Sequence, residues 1–236
     1  MTQETGAPMA EDQRIAIDVI SDVVCPWCYV GQKRLEEAMA LAPEIGVDLR
    51  WRPYQLDPTI PPEGHDRQAY MKAKFGDDGR LQEMQVRLEE IGRDAGIIFH
   101  FDDISRSPNT LDAHRLIRWA ASADGKNAQH ALVTRLFQLY FEEGADVGDR
   151  AVLVAAARET GMDATLVETL LSAGADVEEV KAEIETSRNM GVTGVPCFLL
   201  ENRYAIMGAQ DADTLADAIR QVAAAKARGE LGGPPA

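Results

Sequence analysis

Cys25 and Cys28 stand in the run Val23-Val24-Cys25-Pro26-Trp27-Cys28-Tyr29-Val30, a spacing that brings both sulfurs to the mouth of one helical turn. Two thiols so placed can make, break and exchange disulfides. A cysteine at a helix N-terminus faces unpaired backbone N–H groups and the positive end of the helix dipole, which favour thiolate over thiol. Cys25 is therefore expected to be acidic and to attack. Cys28, one turn on and facing inward, is expected to resolve the mixed disulfide by attacking Cys25 in turn. Pro26 suits the first turn because its missing N–H falls among groups the helix leaves unpaired anyway. Trp27 is placed to cover the site or meet a substrate. Zinc would need about four ligands, yet Cys197 is the one remaining cysteine, and His65, His100, His114 and His130 are scattered without pairing at metal spacing. No metal site is expected. A purely structural disulfide across so small a loop would add little chain-entropy stabilisation.

A strand must deliver Cys25 and a helix must carry Cys28 away. Ile15-Ala16-Ile17-Asp18-Val19-Ile20 is apolar and β-branched, as a buried strand requires. Leu35, Ala38, Met39 and Ala42 recur at three- and four-residue steps, predicting a helix from near Cys28 to Leu41. Gly46 to Tyr54 then alternates apolar and polar residues, so the order is strand, helix, strand, with the strands parallel across the helical crossover. Pro58, Pro61, Pro62 and Gly64 break regular structure after it.

From about Arg67 to Met190 the period is helical, with one candidate strand, Ile97-Ile98-Phe99. The stripes are Leu81, Met84, Leu88 and Ile91; Leu111, His114, Ile117 and Ala121, opened by a cap at Asn109 or Thr110; and Leu132, Leu136, Leu139 and Tyr140. Shorter helices are predicted over 152–160, 164–171 and 177–190. Strand character returns in Gly194 to Leu200, turns at Glu201-Asn202-Arg203 and runs back through Tyr204 to Met207, a hairpin. A proline inside a strand pattern removes a ladder donor, so Pro196 implies an edge or a cis bond. Asp211 is a candidate cap for a last helix bearing Leu215, Ile219 and Val222.

The 236 residues suffice for one large or two small domains, and 45% hydrophobic residues can fill a core. A net charge of −15 excludes a nucleic-acid surface and reads first as a solubility device. The first 14 residues lack the basic start and apolar centre of a signal peptide, and no run is long enough to span a bilayer. A cytosolic protein is expected, where a cysteine-poor chain with one C-x-x-C points to redox work and away from a disulfide scaffold.

Strand, C-x-x-C helix, strand, helical block, Val-Pro hairpin and helix is the order of a thioredoxin fold with a large all-helical insertion domain, an α/β architecture. The expected boundaries are 14–54 with 191–227 for the thioredoxin-like part, 55–190 for the insertion, and flexible tails at 1–13 and 228–236. Three stretches, Asp22 to Cys28, Ser107-Pro108-Asn109-Thr110 with Ala113-His114-Arg115, and Gly191 to Pro196 followed by Gly208-Ala209-Gln210, together resemble the DsbA family, within it the FrnE-like oxidoreductases and the related 2-hydroxychromene-2-carboxylate isomerases. The resemblance implies a cis peptide before Pro196, packed beside Cys25, with the Val195 backbone and the Gln210 turn receiving an extended peptide or glutathione. Related isomerases and kappa-class glutathione transferases carry serine where Cys25 stands, so the two cysteines favour dithiol redox.

The leading expectation is thus a thiol-disulfide oxidoreductase, acting as reductase or isomerase on protein or small-molecule disulfides, with no tightly bound cofactor and glutathione as a candidate co-substrate. The alternatives are a glutathione-dependent isomerase or transferase, and a non-catalytic thiol- or metal-binding chaperone. Cys197 reads first as an inert buried thiol and second as a partner in an alternative mixed disulfide. His114 reads as a filler of a helix interface before a general base, Asn109 as a cap, and Arg115 as a surface cation. Trp51, Trp119, Phe137 and Tyr140 are expected as core or cleft walls. Monomer and homodimer both stay open.

Overall fold

Strand β1, Arg14–Ser21, is covered from Ile17 onward, the burial expected of a central strand with layers on both faces. It pairs in parallel with β2, Gly46–Pro53, from Arg14 opposite Gly46 to Ser21 opposite Pro53, and the crossover between them is helix α1, Pro26–Leu41. The computed structural model describes residues 14–122 and 128–231, so the expected tail at 1–13 and most of that at 228–236 lie outside the described residues. Between β2 and the returning strands come β3 (His65–Asp66), α2 (Arg67–Phe75), α3 (Arg80–Asp94), β4 (Arg106–Ser107), α4 (Leu111–Ala120), α5 (Ala128–Phe141), α6 (Arg150–Glu159), α7 (Ala164–Ser172) and α8 (Val177–Asn189). The chain then closes with β5 (Cys197–Leu200), β6 (Tyr204–Met207) and α9 (Ala212–Ala227). The main sheet has the order β2-β1-β5-β6, which is the α/β thioredoxin fold. Among the described residues no helix is long and apolar enough to cross a membrane.

Pro196 lies just ahead of β5, so no ladder donor is lost; its carbonyl accepts from Gly208 N–H at 2.8 Å. Strand β5 runs antiparallel to β1, with Ile20 opposite Cys197, and the β5–β6 turn places Glu201 and Asn202 at φ of 51° and 54°. That left-handed pair twists with the strands it joins.

Several local expectations are corrected. Ile97-Ile98-Phe99 is no strand. Ile97 and Phe99 are buried and Ile98 exposed, but the alternation comes from packing against the core, without a ladder. The two-residue β3–β4 ladder interrupts the block instead, too short to leave a period in the sequence. Asp211 occupies the N-cap position of α9 without a capping bond; its carboxylate pairs with Arg34 at 3.2 Å. The cap expected from Asn109 or Thr110 is made by Asn109, which accepts from Leu111 N–H at 2.9 Å, while Thr110 at the N-cap position makes no capping bond.

One apolar cluster runs from Ile15 and Val19 in the sheet through Tyr29, Phe137 and Phe141 to Leu153 and Leu171 in the helical block. Tyr29 stacks on Phe137 with ring centroids 5.0 Å apart and donates its hydroxyl to Glu142 at 2.6 Å. Arg115, expected at the surface, is fully buried. Its guanidinium donates to the carbonyls of Ala175 at 2.5 Å and Leu170 at 2.7 Å and to Asp112 at 2.6 Å, tying α4 to the end of α7. Removing it strands buried acceptors. Arg115→Met should therefore lower unfolding stability by about 3 kcal/mol, read as a shifted midpoint in urea denaturation.

Candidate active site

Cys25 is the N-cap residue of α1, with Pro26 in the first turn. Its carbonyl accepts from Cys28 N–H at 3.0 Å and its own N–H donates to the Asp22 carbonyl at 3.0 Å. The end of β1 and the start of α1 thus hold the loop at both sides. All three cysteines are free thiols, and they differ in surroundings. Cys25 Sγ lies 3.7 Å from the Val195 carbonyl oxygen and opens on a cavity. Cys28 is enclosed. Burial pushes its thiol well above the ordinary cysteine range, the adjoining Cys25 adds to the rise, and the Ser21 hydroxyl and the Asp22 backbone oppose it. Cys197 sits in a small cluster with Ile20, Tyr54 and Val192, where burial also raises its thiol; it does not line the cavity.

The Val195–Pro196 peptide is cis and lies against α1. A Cβ on Gly31 would stand 2.8 Å from Pro196 Cγ and 3.2 Å from Phe198 Cζ, so only glycine permits this approach.

The cavity beside Cys25 has a volume of about 350 Å³. Pro26, Trp27, Gly194 and Val195 form its floor, and Tyr70, Met71, Phe75, Leu81, Met84 and Leu88 from α2 and α3 cover it. Tyr140 is one of its walls, whereas Trp51, Trp119 and Phe137 lie away from it. Sequence reasoning missed the α2 contribution. Its signal was the apolar pairing of Tyr70-Met71 with Phe75, one turn on.

His114 reaches the loop from the helical block. Its Nε2 lies 3.4 Å from Asp22 Oδ1, with both side chains 2% exposed, so it faces the residue that supports Cys25 and not the sulfur itself. The other Asp22 oxygen accepts from Leu56 N–H at 2.8 Å. Asn109 also clamps the loop after β2, donating to the Ile60 carbonyl at 2.6 Å. Gln210 stays outside the cavity, its amide donating to the Met207 carbonyl at 2.8 Å. Among the described residues no three His, Cys, Asp or Glu side chains converge as a metal site.

The thiol environments predict ordered reactivity, since the thiolate is the reactive form. Iodoacetamide at neutral pH should label Cys25 and spare Cys28 and Cys197 in the folded reduced protein. Labelling of Cys28, followed by peptide mass spectrometry, should rise only as pH climbs beyond the ordinary thiol range, because a raised pKa keeps it protonated below that.

Residues 16–220 match the DSBA-like thioredoxin domain. A probable DsbA oxidoreductase from Streptomyces coelicolor superposes with a TM-score of 0.81 at 30% identity, covering 94% of this chain and 93% of that one. The fold is shared with a 2-hydroxychromene-2-carboxylate isomerase, TM-score 0.66 at 17% identity over 92% and 100% of the two chains. It is shared too with the cytosolic disulfide reductase DsbM of Pseudomonas aeruginosa with glutathione, 0.60 at 19% over 92% and 98%. With its C-x-x-C at a helix start, its parallel β1–β2 unit and a family match over most of its length, the chain belongs to the DsbA-like thioredoxin domain family, whose members are thiol-disulfide oxidoreductases.

Proposed function

We propose that this protein is a dithiol oxidoreductase that exchanges disulfides through Cys25 and Cys28. The supporting observation is the asymmetry of the pair: Cys25 opens on the cavity beside Val195, whereas Cys28 is enclosed and its thiol resists ionisation. The Cys25 thiolate attacks one sulfur of a substrate disulfide. The S–S bond breaks, the distal sulfur leaves as a thiolate and takes up a proton, and Cys25 stays joined to the proximal half. Cys28 then gives up its proton, attacks Cys25 Sγ and expels that half as a second thiolate. The substrate has gained two electrons, and the enzyme holds a Cys25–Cys28 disulfide.

Two equivalents of a small thiol restore the dithiol, the first forming a mixed disulfide and the second leaving with it as the oxidised pair. The opposite sequence would oxidise a substrate dithiol. Electrons pass through sulfur alone, so no tightly bound cofactor is needed. Glutathione is the thiol and the cytosol the compartment we propose, following the P. aeruginosa reductase, which shares the fold and is described as cytosolic and with glutathione. A peptide substrate would add strand-like hydrogen bonds to the Val195 backbone.

Insulin reduction with glutathione as donor tests this. Cys25→Ser should lower the rate by roughly a thousandfold or more. Cys28→Ser should stall with substrate joined to Cys25, seen as an intact-mass adduct. Resolution in the wild type should quicken as pH rises, because Cys28 must lose a proton that burial holds. Absent disulfide exchange with glutathione tightly bound would replace this function by a glutathione-dependent isomerase.

A further inference from the structure

Helix α2 has no buried residue of its own, yet Tyr70, Met71 and Phe75 on it turn toward the cavity, facing Leu81, Met84 and Leu88 of α3. Protein interiors are close-packed, and apolar walls around an unfilled volume forgo dispersion contacts on one side. A space of about 350 Å³ falls in the range of small-molecule sites, and Cys25 opens on it. An extended peptide bonded to the Val195 backbone would lie on the floor of this space, below the apolar cover that α2 and α3 supply.

The cavity also carries an open cation. Arg67 donates through Nη1 to the Tyr140 hydroxyl at 2.9 Å, and its guanidinium lies 5.8 Å from the centre of that ring. No carboxylate among the described residues forms an ion pair with it. The acids on the same wall are engaged elsewhere: Asp57 accepts from Tyr70 at 2.8 Å, and Asp22 accepts from Leu56 and faces His114. Lys74, near Asp57, lies over the rings of Tyr70 and Phe75 at 5.3 Å and 5.9 Å. Guanidinium has five N–H donors, and Arg67 has planar donors left to meet a carboxylate.

We propose that the substrate of this site is a low-molecular-weight disulfide with an aromatic body seated under α2 and α3 and a carboxylate bound to Arg67. The inference rests on the oxidoreductase function above and narrows its substrate class. One sulfur of the bound disulfide lies against Cys25, which forms a bond to it; the distal half leaves as a thiolate, and Cys28 frees the retained half. Glutathione, a polar tripeptide, has little to fill the apolar part and serves as the reductant that restores the dithiol.

Rapid mixing of the reduced full-length protein with three disulfides tests the assignment: dithiobis-nitrobenzoate, aromatic with carboxylates; dithiodipyridine, aromatic and uncharged; and oxidised glutathione, anionic without an aromatic body. Thiol release should saturate with dithiobis-nitrobenzoate and stay linear with oxidised glutathione over the same range. Arg67→Met should raise the half-saturation concentration for dithiobis-nitrobenzoate about tenfold, the scale of one charge-assisted hydrogen bond, with little change for dithiodipyridine. Met71→Trp, which fills the cavity, should raise it for both aromatic probes. Linear kinetics with the aromatic probes, stronger saturation with oxidised glutathione, or equal effects of Arg67→Met on charged and uncharged probes would overturn the assignment. Insulin reduction without saturation by any probe removes the small-molecule substrate and keeps the oxidoreductase; inertness toward insulin and all three probes removes both.

Discussion

Strand β1 receives its two neighbours from opposite ends of the chain. The parallel partner, β2, arrives through a local helical crossover; the antiparallel partner, β5, arrives only after the whole helical block has been built. Pairing Ile20 with Cys197 sets Val195 and Pro196 next to the loop that β1 delivers. Without that register Cys25 would have no carbonyl beside it and the cavity no floor. A slip of one residue would turn Phe198 and Leu200 out of the main core and Cys197 into it, moving the cis peptide away from α1. Gly31 makes the tolerance small, because its missing side chain is the space Pro196 occupies.

Within this frame Cys25 and Cys28 are separated in surroundings by a single helical turn. The helix start exposes one sulfur to a cavity, and the same helix drives the other into the core, where solvation of a thiolate is poor. Geometry that is nearly symmetric in sequence becomes asymmetric in energy. The helical block contributes more than a lid: His114 and Asn109 reach into the segments that hold the loop, and α2 with α3 define the volume above it.

The sheet strands and α1 were legible because their signals are local: β-branched runs, alternation, and a cysteine pair followed by proline. The hairpin was legible except for its start, since Pro196 precedes the strand. What escaped depends on partners far along the chain. Arg115 reads as a surface cation on its own helix, but the carbonyls that accept its protons lie 55 and 60 residues away. Asp211 has the type and place of a cap, and Arg34, distant in sequence, takes its carboxylate instead. Cys25 and Cys28 announce themselves by spacing; Arg67 and Met71 join the site only because α2 folds back over the cavity, which no residue period encodes.

The contact between Cys25 and the Val195 carbonyl spans 170 residues. At synthesis rates of about 5–20 residues per second, roughly 10–30 s separate the appearance of Cys25 from that of the segment which completes its cleft. During that interval the nascent chain carries a C-x-x-C pair without β5 or the Gly194–Val195 part of the cavity floor. A chain cut short before Val195 would keep both thiols and lose the carbonyl and the cis peptide beside them, so the surroundings of Cys25 are completed last.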